Sequence, residues 1–208
     1  ALKKIEESLP QIAKIRVVAV TQPKQASVPK KKPDMAEIEI GGGTIQQQFE
    51  YAKSLLGKTV TSGETFKEGQ YIDTASVSTG KGFQGPVKRW GVTILQAKGR
   101  KTKRGIATLG PWNPHHVMYS IARAGQMGYH QRTEYNKRIL VMSNTEKDGQ
   151  NSINPSGGFK HFGLVKGDYI VVRGSVPGVP KRLIKIRHPI RNVQKKVLEP
   201  KVLEVVVE

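Results

Sequence analysis

The run Gly80-Lys81-Gly82-Phe83-Gln84-Gly85 has the spacing G-x-G-x-x-G, by which a glycine-rich backbone comes close to phosphate. A dinucleotide loop of this kind opens a helix and needs an acidic ribose ligand about 20 residues further on. Here Pro86 and the basic Lys88-Arg89-Trp90 follow, and neither Asp nor Glu occurs between Asp73 and Glu134. The spacing therefore reads as flexible backbone lying along a phosphate chain. His115, His116 and His130 have metal-ligand chemistry, but their nearest carboxylate is Glu134 and the chain has no cysteine. The surrounding positive charge would also repel a divalent cation, so ring stacking or hydrogen bonding to phosphate suits these imidazoles better. Ser120 and Ser143 lack an evident His–Asp company, and Glu134 alone reads as an ion-pair partner of Arg132 or Arg138. No catalytic residue, cofactor or metal site is expected, and the chain is not read as an enzyme.

Cations carry the signal instead. Between Lys81 and Arg138 there are twelve Lys or Arg residues and one carboxylate, while nine carboxylates precede this window and six follow it. Such a segment cannot balance its charge internally and needs a polyanion. Glycines and aromatics, among them Trp90, Trp112, Tyr119 and Tyr129, are threaded through it. Cations neutralise phosphate, glycine lets the backbone approach, and flat rings stack on bases. Trp112 sits in Gly110-Pro-Trp-Asn-Pro114, where neither a helix nor a central strand is expected, so its indole is read as presented at a loop tip. Trp90 stays open between core and surface.

The 208 residues suffice for one cored domain with an elaboration, and a formal net charge of +19 points to nucleic acid or an anionic membrane surface. The membrane alternative is weak, because the longest apolar runs, such as Val17–Val20 and Tyr169–Val172, are too short to span one. No secretory signal pattern opens the chain. Ala1 is compatible with loss of an initiator Met or with a start inside a longer protein. Zero cysteines exclude disulfides, Fe–S clusters and a thiol nucleophile. Lys30-Lys31-Lys32 has the composition of a nuclear signal but reads as a solvated loop in so basic a chain.

The elements that must position the basic window lie in two flanks of ordinary composition. Ile15–Val20 and Glu37–Ile40 have strand patterns, joined by the Pro- and Lys-rich connector Pro23–Pro33. Thr44 with Gln47 makes a capping box for a helix near 44–56, with Ile45, Phe49, Ala52 and Leu56 at helical spacing and Gly57 at its end. Lys58–Ser62 and Gln70–Val77 are strand candidates around a turn at Gly63–Glu64. In the second flank, Ile139–Ser143 is β-prone, Leu164–Val165 and Tyr169–Val172 frame a hairpin turn at Lys166-Gly167-Asp168, and Leu183–Arg187 alternates. Residues 191–208 read as a last strand or a docked tail. This spacing of short strands predicts a mainly β fold, closed as a barrel or sandwich. Residues 1–80 and 139–208 would form it, with 81–138 inserted as an extended loop that orders on its partner.

Four long motifs carry a resemblance. Gly80–Gly91, Gly110–His115, Ala124–Arg138 and Asn154–Gly163, together with Val172–Arg182, resemble the archaeal and eukaryotic branch of the family of large-subunit ribosomal protein three. The resemblance covers roughly Ile15 to Arg187 and implies a translation-factor-like β-barrel with a long basic finger entering ribosomal RNA. It also implies a cytoplasmic, ribosome-bound, non-enzymatic role in translation. The partners would be large-subunit rRNA and neighbouring ribosomal proteins, with no membrane and no small-molecule substrate. Trp112 matches the family's finger tip near the peptidyl transferase centre. The legs Lys81–Arg104 and Arg123–Arg138, with His115 and His116 between them, would supply rRNA contacts: the cations Lys81, Lys88, Arg89, Lys98, Arg100, Lys101, Lys103, Arg104, Arg123, Arg132, Lys137 and Arg138; the rings Phe83, Trp90, Tyr129, Tyr135, His115, His116 and His130; and the amides Gln84, Gln126, Gln131 and Asn136. The family's basic leader has no counterpart before Ile15. The alternatives are a free-standing nucleic-acid chaperone or architectural protein and, less supported, a nucleotide-using enzyme built on Gly80–Gly85.

Overall fold

In the computed structural model the described residues are 2–26, 28–99, 102–145, 153–191 and 200–201. They are mainly β with minor helix, as the sequence predicts. Two compact units form, one from the described parts of 1–72, 136–175 and 188–208, the other from 73–135 and 176–187. The chain passes from one to the other inside strands β3 (Tyr71–Val77) and β6 (Gln131–Asn144).

In the first unit, β1 (Arg16–Val20) pairs antiparallel with β2 (Met35–Glu39), placing Val18 opposite Glu37 and Val20 opposite Met35. The connector between them is closed by bonds from the Thr21 amide to the Asp34 carbonyl and from the Asp34 amide to Thr21 Oγ1, each 2.9 Å. A short helix, α1 (Leu2–Ser8), lies N-terminal to this ladder in the chain, and its Glu6 pairs with Lys53 of α2 (Ile45–Leu55) at 3.0 Å.

Helix α2 forms where expected and for the expected reason. Thr44, extended, accepts the Gln47 amide while the Gln47 side chain accepts the Thr44 amide, so both bonds of the capping box are made. Phe49 and Ala52 are buried. Leu56 is 60% exposed, because the helix has ended one residue earlier and Leu56 is already extended in ψ. Gly57 follows at φ +75, the left-handed conformation that terminates helices cheaply only with glycine.

The centre of this unit is Ile139, whose side chain is fully buried and whose backbone bonds to the segment before β3: its amide to the Gln70 carbonyl and its carbonyl from the Gly69 amide. Beyond it, β6 pairs antiparallel with β7 (Asp168–Val172), with an irregularity between Ile139 and Val141. In the second unit, β3 pairs with β8 (Lys185–Arg187), and the fully buried Asp73 receives Arg187 Nε at 3.4 Å.

Three expectations change. Lys58–Ser62 is no strand: the Ser62 carbonyl accepts the Phe66 amide in a one-turn helix, α3 (Ser62–Thr65), and is not offered to a ladder. Leu164–Val165 does not form a hairpin with β7. The Asn154 side chain brackets Val165 instead, accepting its amide at 2.7 Å and donating to its carbonyl at 2.9 Å. No closed barrel is formed among the described residues; the ladders are open. Most of 191–208 lies outside the described residues.

Truncating Ile139→Ala should destabilise the first unit by about 2–5 kcal/mol, whereas Thr44→Ala should cost about 1 kcal/mol through the lost cap. Urea unfolding followed by circular dichroism checks the order, and equal losses would contradict Ile139 as the centre of that core.

Candidate nucleic-acid interface

The basic window is not one structureless loop. Its glycine motif pairs with the returning leg of the chain: the Lys81 amide bonds to the Met127 carbonyl at 2.9 Å, and the Met127 amide to the Gly82 carbonyl at 2.8 Å. Next to these bonds β4 (Phe83–Gln84) lies antiparallel to β5 (Gly125–Gln126). A five-residue helix, α4 (Pro86–Trp90), then starts with proline, which gives up no bond at a position where the amide is unused anyway, and stops at Gly91 with φ +70. The glycines thus serve a close backbone pairing.

Two candidate RNA ligands hold this base together. Arg89 donates from Nη1 to the Arg123 carbonyl at 2.8 Å and from Nε to the Gln126 carbonyl at 3.1 Å. Trp90 Nε1 donates to the same Arg123 carbonyl at 2.9 Å, and the Arg89 guanidinium lies 5.1 Å from the Trp90 ring centroid. Gly125 leaves room for that guanidinium, since a Cβ there would come within 3.0 Å of Arg89 Cζ. Trp90 is accordingly a surface ring whose N–H is committed to the chain.

Beyond α4 the chain is irregular, tied by the Leu95 amide to the Lys103 carbonyl at 3.1 Å. Trp112 is 84% exposed and meets His115 edge-on at 6.1 Å between centroids; Tyr119 is fully exposed. Arg100 and Lys101 lie outside the described residues. Lys81, Phe83, Lys88, Lys98, Lys103, Arg104, His115, His116, Arg123, Gln126, Tyr129, Gln131, Arg132 and Tyr135 are exposed, and Gln84, Arg89 and His130 half-buried, all in the second unit. Asn136, Lys137 and Arg138 are half-buried and belong to the first unit, within β6. The last residues of the basic window, from Gln131, are therefore strand rather than loop. Among the described residues no cluster of three His, Cys, Asp or Glu side chains could hold a metal.

The sequence reading misses Arg182. Its Nη1 donates to the Val77 and Ser78 carbonyls at 2.8 and 2.9 Å, and its guanidinium lies 5.5 Å from the Tyr129 ring centroid. Nothing local in the sequence joins two residues so far apart. The only signal was that Arg182 closes the Val172–Arg182 motif.

Comparison with known proteins decides the family. The model of the family Ribosomal protein L3 matches residues 1–208. The chain belongs to that family. It is similar to the large ribosomal subunit protein uL3 of Methanothermobacter thermautotrophicus, 46% identical over 204 residues that cover 97% of this chain and 60% of the relative. The uL3 proteins of Methanopyrus kandleri and Methanothrix harundinacea are 47% and 45% identical, over 91% and 99% of this chain and 53% and 61% of their own lengths. The chain thus spans less than two thirds of the length of these relatives.

Gly128, at φ +72, is the tightest point of the interface: a Cβ there would lie 2.0 Å from the Thr79 carbonyl oxygen. Gly128→Ala should cost about 1–3 kcal/mol by overpacking. Gly42→Ala, likewise at positive φ (+85) but with a Cβ that meets nothing within 4 Å, is the matched control. Thermal melting of both variants checks this, and a Gly128→Ala protein as stable as the control would refute the close approach.

Proposed function

We propose that this chain is a structural, RNA-binding constituent of the large ribosomal subunit, working in the cytoplasm inside the ribosome and catalysing no reaction. The single observation that carries the proposal is family membership over residues 1–208, with relatives named as large-subunit protein uL3. The exposed cations and rings of the second unit support it, because they offer phosphate and base contacts. Residues 81–138 act as a finger inserted in a mainly β globular domain of 1–80 and 139–208. The finger's cations neutralise large-subunit rRNA, aiding subunit assembly, and Trp112 approaches the peptidyl transferase centre. Neighbouring ribosomal proteins cover other faces; no membrane or small-molecule substrate is involved. Among the described residues no helix is long and apolar enough to cross a membrane.

The deciding experiment is cross-linking in cells with gradient fractionation. Co-migration with large subunits, and cross-links from Lys81–Arg138 near the peptidyl transferase region, are expected; a free pool bound to many unrelated RNAs or to DNA would favour a nucleic-acid chaperone. Trp112→Ala should leave the fold intact, the indole being largely exposed, while impairing tRNA accommodation in reconstituted translation. Unchanged translation would remove Trp112 from the proposed role. Lys88→Ala should reduce the slope of log affinity against log salt by nearly one counterion, about 0.7–0.9. An unchanged slope would show that Lys88 touches no phosphate.

A further inference from the structure

Tyr129 is an exposed aromatic ring held in place at unusual expense. Its φ of +56 is a backbone conformation that bulky side chains rarely adopt, and Gly128 before it is also left-handed. The turn is fixed on both sides. The Lys81 amide bonds to the Met127 carbonyl on one side, and the Ser78 amide bonds to the His130 carbonyl at 2.9 Å on the other. Gly128 meanwhile presses on the Thr79 carbonyl so closely that no side chain fits. The surroundings therefore dictate the strained conformation, the situation in which strain accompanies function.

Arg182 backs the ring. With Nη1 shared between the Val77 and Ser78 carbonyls, its guanidinium is pinned 5.5 Å from the ring centroid rather than sweeping through solvent. The Tyr129 side of this pair still leaves the residue 66% exposed. A largely exposed ring on a fixed turn, with a pinned guanidinium over it, matches the chemistry of an unpaired nucleobase: stacking on the ring, with positive charge nearby for the phosphate. A paired duplex offers no free base face to such a platform.

We propose that Tyr129, positioned by Arg182, is a stacking platform for a single unpaired RNA base. This rests on the RNA-binding role proposed above and adds the ligand class and the positioning residue.

The test uses the full chain and two fluorescent probes at one salt concentration: a single-stranded hexaadenylate and a fully paired RNA duplex. Tyr129→Asn, whose side chain tolerates positive φ, should weaken hexaadenylate binding about tenfold and leave duplex binding unchanged. Tyr129→Phe should retain both. Arg182→Lys keeps the charge but loses the plane, and should weaken hexaadenylate alone. Ultraviolet cross-linking of the unmodified chain to hexauridylate, mapped by mass spectrometry, provides a readout independent of whether the variants fold; a cross-link at Tyr129 is expected. A pair that merely staples the turn would lower the melting temperature of Tyr129→Asn with no selective loss on hexaadenylate, and that result overturns the proposal. So does a cross-link pattern that omits Tyr129. Failure of the unmodified chain to bind either RNA would overturn the RNA-binding role itself.

Discussion

Three donors of one short helix end on two backbone carbonyls, those of Arg123 and Gln126, and the whole basic segment hangs from that clamp. Without it, the chain from Gly91 to Arg123 would depart from and return to the β4–β5 pairing at no defined place. Closing a loop of that length costs on the order of 3 kcal/mol in chain entropy. Hydrogen bonds from a charged donor contribute about 1.5–3 kcal/mol each, so the two from Arg89 are of the size needed to offset it. The β4–β5 pairing then sets the separation and direction of the two legs. Ordering of the segment on the proposed RNA partner would start from a base already built.

That arrangement divides the positive charge into two populations. Arg89 and Arg182 spend their donors on carbonyls of the chain and act as fasteners for rings, Trp90 in one case and Tyr129 in the other. Lys81, Lys88, Lys98, Lys103 and Arg104 stand exposed and are suited to phosphate. Binding that releases counterions responds steeply to salt, whereas bonds between a guanidinium and its own chain's carbonyls respond little. Arg suits the fastening role because its planar fork fixes an orientation that a flexible ammonium does not.

Sequence reasoning succeeded where the physics is local. The Thr44–Gln47 box and the Gly57 stop of α2 are set by residues within a turn of each other, and both are present. The cationic character of Lys81–Arg138 was legible too, since counting its charges needs no fold. What failed was non-local. Gln131–Arg138 was read as loop because its polar side chains hide any alternation, yet its backbone continues into the strand that buries Ile139. Asn154 took the bonds that would have made Leu164–Val165 a strand, a competition between side chain and ladder that composition does not announce. Which cations are fasteners was equally hidden, because Arg89 and Arg182 depend on partners far along the chain.

The β1–β2 ladder bears on how copies of the chain meet one another. Among the described residues each of the two strands pairs only with the other, so neither outer edge is paired with a described strand. Val18, Val20, Met35 and Ile38 stand exposed along it, and the Lys14 and Arg16 ion pairs with Glu37 and Glu39 reduce the local net charge that would repel another copy. Such an edge recruits further strands. Wherever that edge is left uncovered, copies of the chain would tend to associate strand against strand along it.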